Sequence, residues 1–186
     1  IHPCLIRIKP KEKINSRYLK LLLSEVQYIF DNIKLLSNAT TIDVIYSSPF
    51  VRTLQTIHPY CKKNNVKINI EYALHEYRHN PYFIFENKIY KIKDINNNNL
   101  TNIIDKTYKS LFKINQFNTS SLETEIILNN RLQLFLTYLK NNKELKNKNI
   151  LIVTHKGIIN KIKKIYKLID NLDEDFDMGS FEIITI

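Results

Sequence analysis

The sequence contains few cysteines and no long hydrophobic run. Only two of its 186 residues are cysteine, Cys4 and Cys61. Two cysteines form neither a disulfide framework nor a zinc site, so we expect an intracellular, cytoplasmic setting and neither a metal nor a cofactor. No apolar stretch reaches the ~18 residues of a membrane span, and we expect no membrane contact. Because the chain begins with Ile1 rather than methionine, there is room for a preceding segment with a targeting signal.

The charge of the chain is strongly unbalanced. Lysine and arginine number 28 against 18 acidic residues, giving a formal net charge of +10. Such an excess suits an acidic partner, either a phosphorylated ligand or a nucleic acid. The lysines are scattered among Asn and Ile, however, and aromatic residues are not interleaved with them. We therefore favour a solvated basic surface over a nucleic-acid-binding stripe, and leave nucleic acid and protein partners open.

Apolar patterns that are typical of strands and of helices alternate along the chain. Alternation and short apolar runs predict strands at residues 3–8, 41–47, 66–71, 150–153 and 181–186. Helical spacing predicts helices at 16–33, 49–63, 128–139 and about 157–168. This order predicts an α/β fold in three layers, a mostly parallel sheet with helices on both faces. A length of 186 residues with 44% hydrophobic composition suits one domain over 1–186, with an irregular excursion at about 72–122.

Two local patterns give more detailed expectations for the second half of the chain. Ser120–Glu123 has the spacing of a capping box and predicts the start of the following helix. The helix after residue 156 carries several lysines, which we interpret as a solvated face; they are Lys161, Lys163, Lys164 and Lys167.

The segment Val44–Thr56 combines a fold signal with a chemical one. An apolar run ends at two serines, and a proline follows. The pattern predicts Ser48 as N-cap and Pro49 as the first helical residue. Arg52 then lies on the first helical turn, beside backbone N–H groups and the positive end of the helix dipole, where an anion is stabilised. A phosphate would fit this position.

Charged side chains follow the ends of several predicted parallel strands. Arg7 lies at the end of the first strand, Arg52 just past the second, Glu76 after the third and His155 after the fourth. Because ligands of open α/β sheets bind at the carboxyl ends of the strands, we expect these four side chains to converge. Arginine suits phosphate oxygens, and histidine adds a titratable donor.

Several of these segments resemble the histidine phosphatase superfamily, which has the phosphoglycerate-mutase-like fold. Residues 47–56, Ser-Ser-Pro-Phe-Val-Arg-Thr-Leu-Gln-Thr, look like its second signature, and residues 150–159 look like the late strand that ends in an active-site histidine. Residues 71–77 are similar to the segment with the acid residue, most closely in the branch of the suppressor-of-T-cell-receptor-signalling phosphatases. The resemblance implies that Arg7, Arg52 and His155 bind phosphate and that Glu76 is the proton donor.

The chain departs from this family at the first motif. The family has Arg-His-Gly there, and its histidine attacks phosphorus. Here Arg7 is followed by Ile8 and Lys9. An alkyl side chain cannot accept a phosphoryl group. We therefore expect a pseudophosphatase that binds a phosphate or a phosphorylated ligand. The alternatives are an active phosphomonoesterase that uses Glu76 with water or another nucleophile, and a basic module that binds nucleic acid or protein.

Overall fold

The computed structural model describes residues 42–79, 100–113 and 122–166. The first predicted strand with Arg7 and Ile8, the first predicted helix and the last predicted strand lie outside the described residues. The prediction of one domain over the whole chain stays a prediction.

Three parallel strands form the described sheet. They are β1 (Val44–Ser47), β2 (Ile68–Ile70) and β3 (Ile150–Val153). The order is β2-β1-β3, so β1 lies in the middle. Ser47 is opposite Ile70 on one side and Val153 on the other, and the carboxyl ends of all three strands therefore meet at one edge.

Helices connect the strands and follow the last one. They are α1 (Val51–Asn64), α2 (Glu125–Asn141) and α3 (Lys156–Ile165). Within the described ranges, short 3-10 helices occur at Tyr72–Leu74, Thr101–Ile103 and Lys143–Leu145. Parallel strands joined through helices confirm the predicted α/β class.

The two faces of the sheet are covered by different helices. Ile45 of β1 packs in a cluster with Leu54 and Ile57 of α1. Tyr46, the next residue of β1, packs instead with residues of α2 and α3, among them Phe135 and Ile158. This alternation is the two-residue period of a strand that is buried on both faces. The described part of the chain is therefore layered helix–sheet–helix.

The start of α1 differs from the sequence-based prediction. The N-cap is Phe50, without a side-chain cap, and the helix begins at Val51, so the assignment of Ser48 and Pro49 was wrong. The Ser48 hydroxyl lies 2.8 Å from Nε2 of His155. This contact draws the hydroxyl away from the capping position. The Thr53 hydroxyl shares its proton between the carbonyls of Phe50 and Ser48, at 2.7 and 2.9 Å, and so fixes the turn before the helix.

The start of α2 also differs, by a few residues. Its N-cap is Thr124, whose hydroxyl oxygen accepts a hydrogen bond from the N–H of Ile127. Glu123 does not serve in a capping box, because its carboxylate is paired with Arg131 at 2.6 Å. A charge-assisted pair with a guanidinium group is among the strongest hydrogen-bonded contacts that a carboxylate can make.

The solvated lysine face predicted for α3 is wrong for two residues. Lys161 and Lys163 are buried, with 6% and 7% of their surface exposed. The Lys161 ammonium donates to Glu125 Oε1 at 2.5 Å, which joins α3 to the first turn of α2. The lysine stems thus cover apolar surface while their charged ends reach polar groups.

Candidate functional site

Three of the four predicted site residues meet at the carboxyl edge of the sheet. Nη2 of Arg52 lies 3.1 Å from Nδ1 of His155 and 3.6 Å from Oε2 of Glu76. The distance from His155 Nδ1 to Glu76 Oε2 is 3.4 Å. We call Arg52, Glu76 and His155 the strand-end cluster. Its members follow β1, β2 and β3 respectively, so the parallel register brings them together. Arg7 and Ile8 lie outside the described residues.

The strand-end cluster is closed on one side and partly open on the other. The His155 side chain is fully buried, whereas 15% of the Arg52 side chain and 14% of the Glu76 side chain are exposed. The first turn of α3 lies beside Glu76, since a Cβ on Gly157 would be 3.4 Å from Glu76 Oε1. A ligand that reached the cluster would meet Arg52 and Glu76 first.

The Phe50 ring packs against two members of the strand-end cluster. The guanidinium carbon of Arg52 lies 4.2 Å from the centre of the Phe50 ring, in cation–π contact. The His155 ring packs edge-on against the same ring, with centres 4.9 Å apart at 74°. Phe50 is buried, so its ring is a fixed apolar surface against which both Arg52 and His155 pack.

Burial sets the protonation of the two acid–base groups in the cluster. Burial lowers the pKa of His155 well below its usual value, and the charges of Arg52 and Arg131 lower it further. Burial raises the pKa of Glu76, and the positive charge of Arg52 opposes this shift. In the ligand-free protein the imidazole is therefore neutral, and the carboxyl group keeps its proton to higher pH than an exposed glutamate.

A buried ion pair on α2 holds the segment that carries Glu76. Arg131 contacts Glu123 through two hydrogen bonds, Nε to Oε1 at 2.6 Å and Nη2 to Oε2 at 3.0 Å. Arg131 Nη1 also donates to the carbonyl of Ala73. The backbone N–H of Glu123 donates to the carbonyl of Arg78 at 2.9 Å. Glu76 lies between these two anchored residues.

A second buried carboxylate fastens the segment 100–113 to the end of β2. Glu71 accepts hydrogen bonds from the hydroxyls of Tyr108 and Ser110, both at 2.6 Å, and from the N–H of Leu111 at 3.0 Å. It also accepts one from the N–H of Ala73 at 2.9 Å. Glu71 thereby stabilises the chain just before the acid segment.

Two other groups that could act as nucleophiles, His75 and Cys61, are buried, whereas His79 is exposed and its Nδ1 lies 3.3 Å from the carbonyl of Tyr77. His75 is completely buried, and its Nδ1 lies 2.6 Å from the carbonyl of Glu76, so its ring orients the loop. Burial raises the pKa of the Cys61 thiol to about 12, which leaves it protonated and inert at neutral pH.

Among the residues that the structure describes, no group of three or more His, Cys, Asp or Glu is arranged to hold a metal ion. Within the same residues, no helix has the length and apolarity to cross a membrane.

The sequence predicts that Arg52, Glu76 and His155 lie together, but it does not predict the contacts that hold them in place. The contact of Ser48 with His155 and the anchoring of Ala73 by Arg131 were not predicted. The sequence pattern around Glu123 predicted a helix cap rather than an ion pair with Arg131.

Comparison with known proteins identifies the family and a structural neighbour of the same fold. The family model of the histidine phosphatase superfamily (branch 1) matches residues 33–169, and the chain belongs to this superfamily. Among solved structures, the chain is similar to the ecdysone phosphate phosphatase from Bombix mori in complex with tungstate, at 16% identity and a TM-score of 0.52. That match covers 87% of this chain and 61% of the other, so the chain spans about three fifths of its structural neighbour. No curated protein matches the chain.

Proposed function

We propose that the chain is a pseudophosphatase domain, which binds phosphate or a phosphorylated ligand and turns it over slowly or not at all. The observation that carries this proposal is the strand-end cluster, in which Arg52 and His155 meet at the partly open carboxyl edge of a parallel sheet. Arg7, which ends the first predicted strand, is proposed to complete the anion site. Ligand binding at this edge is the general rule for open α/β sheets.

The chemistry around Arg52 favours an anion as the ligand. Arginine offers planar donors that match phosphate oxygens in pairs. Within the cluster, Arg52 Nη2 lies 3.6 Å from Glu76 Oε2 and 3.1 Å from His155 Nδ1, and the first distance is too long for a strong hydrogen bond. A phosphate would offer better acceptors. The amino ends of α1 and α3 follow β1 and β3 directly and add positive dipole ends to the same edge.

Low turnover is inferred from the sequence of the first motif. Ile8 occupies the position of the family's nucleophile, and its alkyl side chain cannot form a phosphoryl intermediate. His75 and Cys61 are too buried to replace it, and the exposed His79 packs its ring against Tyr77, with ring centres 4.9 Å apart, rather than against the cluster. Arginine, histidine and a carboxyl group then remain for binding and charge stabilisation, without a covalent route.

A second candidate function is a phosphomonoesterase that uses water directly. Glu76 favours this alternative, because its raised pKa and partial exposure suit a proton donor to a leaving group. Positioning and charge stabilisation account for much of the catalysis in phosphoryl transfer. Under this alternative, Glu76→Gln would abolish turnover while phosphate binding persisted.

The structural neighbour adds support for an oxyanion ligand. That protein is an ecdysone phosphate phosphatase, and its crystal structure contains tungstate, a tetrahedral oxyanion. A closer likeness to the suppressor-of-T-cell-receptor-signalling branch is part of the same proposal. A basic module that binds nucleic acid or protein stays a prediction from the net charge.

The experiment compares the unmodified protein with Ile8→His and Ile8→Gln. Hydrolysis of an aryl phosphate is followed for each, and inorganic phosphate binding is measured by calorimetry. We expect phosphate binding by all three and hydrolysis by Ile8→His alone. The glutamine variant controls for a polar side chain of similar size that cannot take up a phosphoryl group. Ordinary enzymatic turnover by the unmodified protein, lost in Glu76→Gln, would overturn the pseudophosphatase proposal in favour of the second function.

A further inference from the structure

We propose that Ser48 is a positioning residue that holds Nε2 of His155 and thereby turns Nδ1 towards the anion site, so that anion binding takes up one proton at Nδ1. This inference rests on the proposed function. It concerns a residue that the sequence motif assigned to helix capping.

The contact between Ser48 and His155 is short and sealed from solvent. The Ser48 hydroxyl oxygen lies 2.8 Å from His155 Nε2, and both residues are completely buried. The N–H of Phe50 also points to the Ser48 oxygen, at 3.4 Å. On the other side of the ring, Nδ1 faces Arg52 and Glu76, which are the partly exposed members of the strand-end cluster. An incoming anion therefore meets Nδ1 and not Nε2.

The neighbours of His155 select one tautomer of its neutral ring. A guanidinium group can only donate hydrogen bonds. The contact of Arg52 Nη2 with Nδ1, at 3.1 Å, therefore requires Nδ1 to be the acceptor. The single ring proton of the neutral imidazole then lies on Nε2 and is donated to the Ser48 oxygen. Ser48 is the acceptor that makes this tautomer favourable.

An acceptor nitrogen cannot bind an anion, and this links binding to a proton. For Nδ1 to donate to a phosphate oxygen, it must gain a proton from solvent or from the Glu76 carboxyl group, whose Oε2 lies 3.4 Å away. The ring then becomes an imidazolium that donates to Ser48 and to the anion. The charged or titratable groups that act on this ring are Arg52, Glu76, Arg131 and His75. The positive charges of Arg52 and Arg131 disfavour a proton on this ring, and the negative charge of a bound anion offsets them and stabilises the added proton.

The first test reads the tautomer of the ligand-free protein by long-range ¹H–¹⁵N correlation. His155→Gln assigns the signals. We expect Nε2 with a protonated, pyrrole-type shift and Nδ1 with a pyridine-type shift in the unmodified protein. Ser48→Ala should shift the ring towards the opposite tautomer, because Nδ1–H could then donate to Glu76. Ser47→Ala is the matched control, since Ser47 is equally buried and bonds to Thr53 rather than to His155.

The second test measures the affinity for sulfate, a dianion that does not titrate in this range, at several pH values. A Glu76→Gln background removes the other titrating group of the cluster. We expect the affinity to fall by up to about tenfold per pH unit between about pH 6 and 8, the linkage of one proton. Ser48→Ala should flatten this dependence, whereas Ser47→Ala keeps it and Ser48→Thr, which retains a hydroxyl, restores it.

The two tests separate failure of this inference from failure of the proposed function. A pyrrole-type Nδ1 in the ligand-free protein overturns the role of Ser48 even if sulfate binds. An unchanged pH dependence in Ser48→Ala also overturns it. If no sulfate binds at any pH, the proposed function fails, while the tautomer measurement still decides whether Ser48 orients the ring.

Discussion

Arg131 and Glu123 form a doubly hydrogen-bonded ion pair in which both side chains are fully buried. The pair joins helix α2 to the segment that carries Glu76, because Arg131 also donates to the carbonyl of Ala73. Structural stability and the placement of the proposed acid therefore depend on the same guanidinium group.

Replacing Arg131 by methionine should lower the free energy of unfolding by about 3–5 kcal/mol, because it leaves the Glu123 carboxylate buried without its partner. Urea denaturation measures this loss. Lys148→Met is the control, because 46% of the Lys148 side chain is exposed and its ion pair with Asp43, at 3.5 Å, is screened by solvent and should contribute little. Similar losses in the two variants would contradict the anchoring role of Arg131.

The fold and the strand-end cluster could be predicted from sequence because their signals are local. The apolar run 150–153 marks a buried strand wherever it packs, and parallel strands bring the residues after their carboxyl ends together. The partner of Ser48 could not be predicted in this way. His155 is 107 positions further along the chain, and only the packed structure shows that its ring nitrogen competes with the helix end for the hydroxyl. The same holds for the pairing of Arg131 with Glu123, since the spacing equally allowed a capping role for Glu123.

Glu71→Gln should also destabilise the protein, by about 1–3 kcal/mol. A neutral amide accepts weaker hydrogen bonds than a carboxylate, and its NH₂ group would face the hydroxyl donors that Glu71 now satisfies. Tyr108→Phe removes one of these donors and should cost less. Glu144→Gln, on the exposed helix at Lys143–Leu145, is the charge-matched control. Thermal denaturation followed by circular dichroism ranks the three, and equal melting temperatures for Glu71→Gln and Glu144→Gln would contradict the assignment.

Arg52→Ala should weaken inorganic phosphate binding by about tenfold to a hundredfold, as expected for the loss of charge-assisted hydrogen bonds of about 1.5–3 kcal/mol. Arg52→Lys should recover only part of this affinity, because an ammonium group lacks the planar fork and the stacking on Phe50. Lys62→Ala removes the same charge from the exposed last turn of α1 and should leave the affinity unchanged. Calorimetry at fixed pH distinguishes these cases. Equal losses in Arg52→Ala and Lys62→Ala would indicate that only the general positive charge attracts phosphate.

Acidification should destabilise the fold through His75 and His155. Burial lowers the pKa of both groups well below the unfolded value of 6.5, with the charge of Arg131 as a further cause for His75 and that of Arg52 for His155. Their contribution to stability is therefore complete above about pH 6.5. It is lost as the pH falls below that value, by up to about 1.4 kcal/mol per pH unit for each histidine.

Glu76 changes the free energy of unfolding with pH in the opposite direction to the two histidines, so the variants of His155 and Glu76 can be compared in one experiment. Its pKa is raised by burial above the unfolded value of 4.5, so its contribution is present below pH 4.5 and is lost as the pH rises through the folded value. Urea denaturation between about pH 5 and 7.5 should therefore show a shallower pH dependence in His155→Gln and a steeper one in Glu76→Gln. His58→Gln, which removes a partly exposed imidazole of α1 outside the strand-end cluster, provides the reference. Two groups whose pKa values are shifted in opposite directions on folding must change the slope of the free energy of unfolding against pH in opposite directions when they are removed. If both cluster variants changed this slope in the same direction, the opposite pKa shifts of His155 and Glu76 would be wrong.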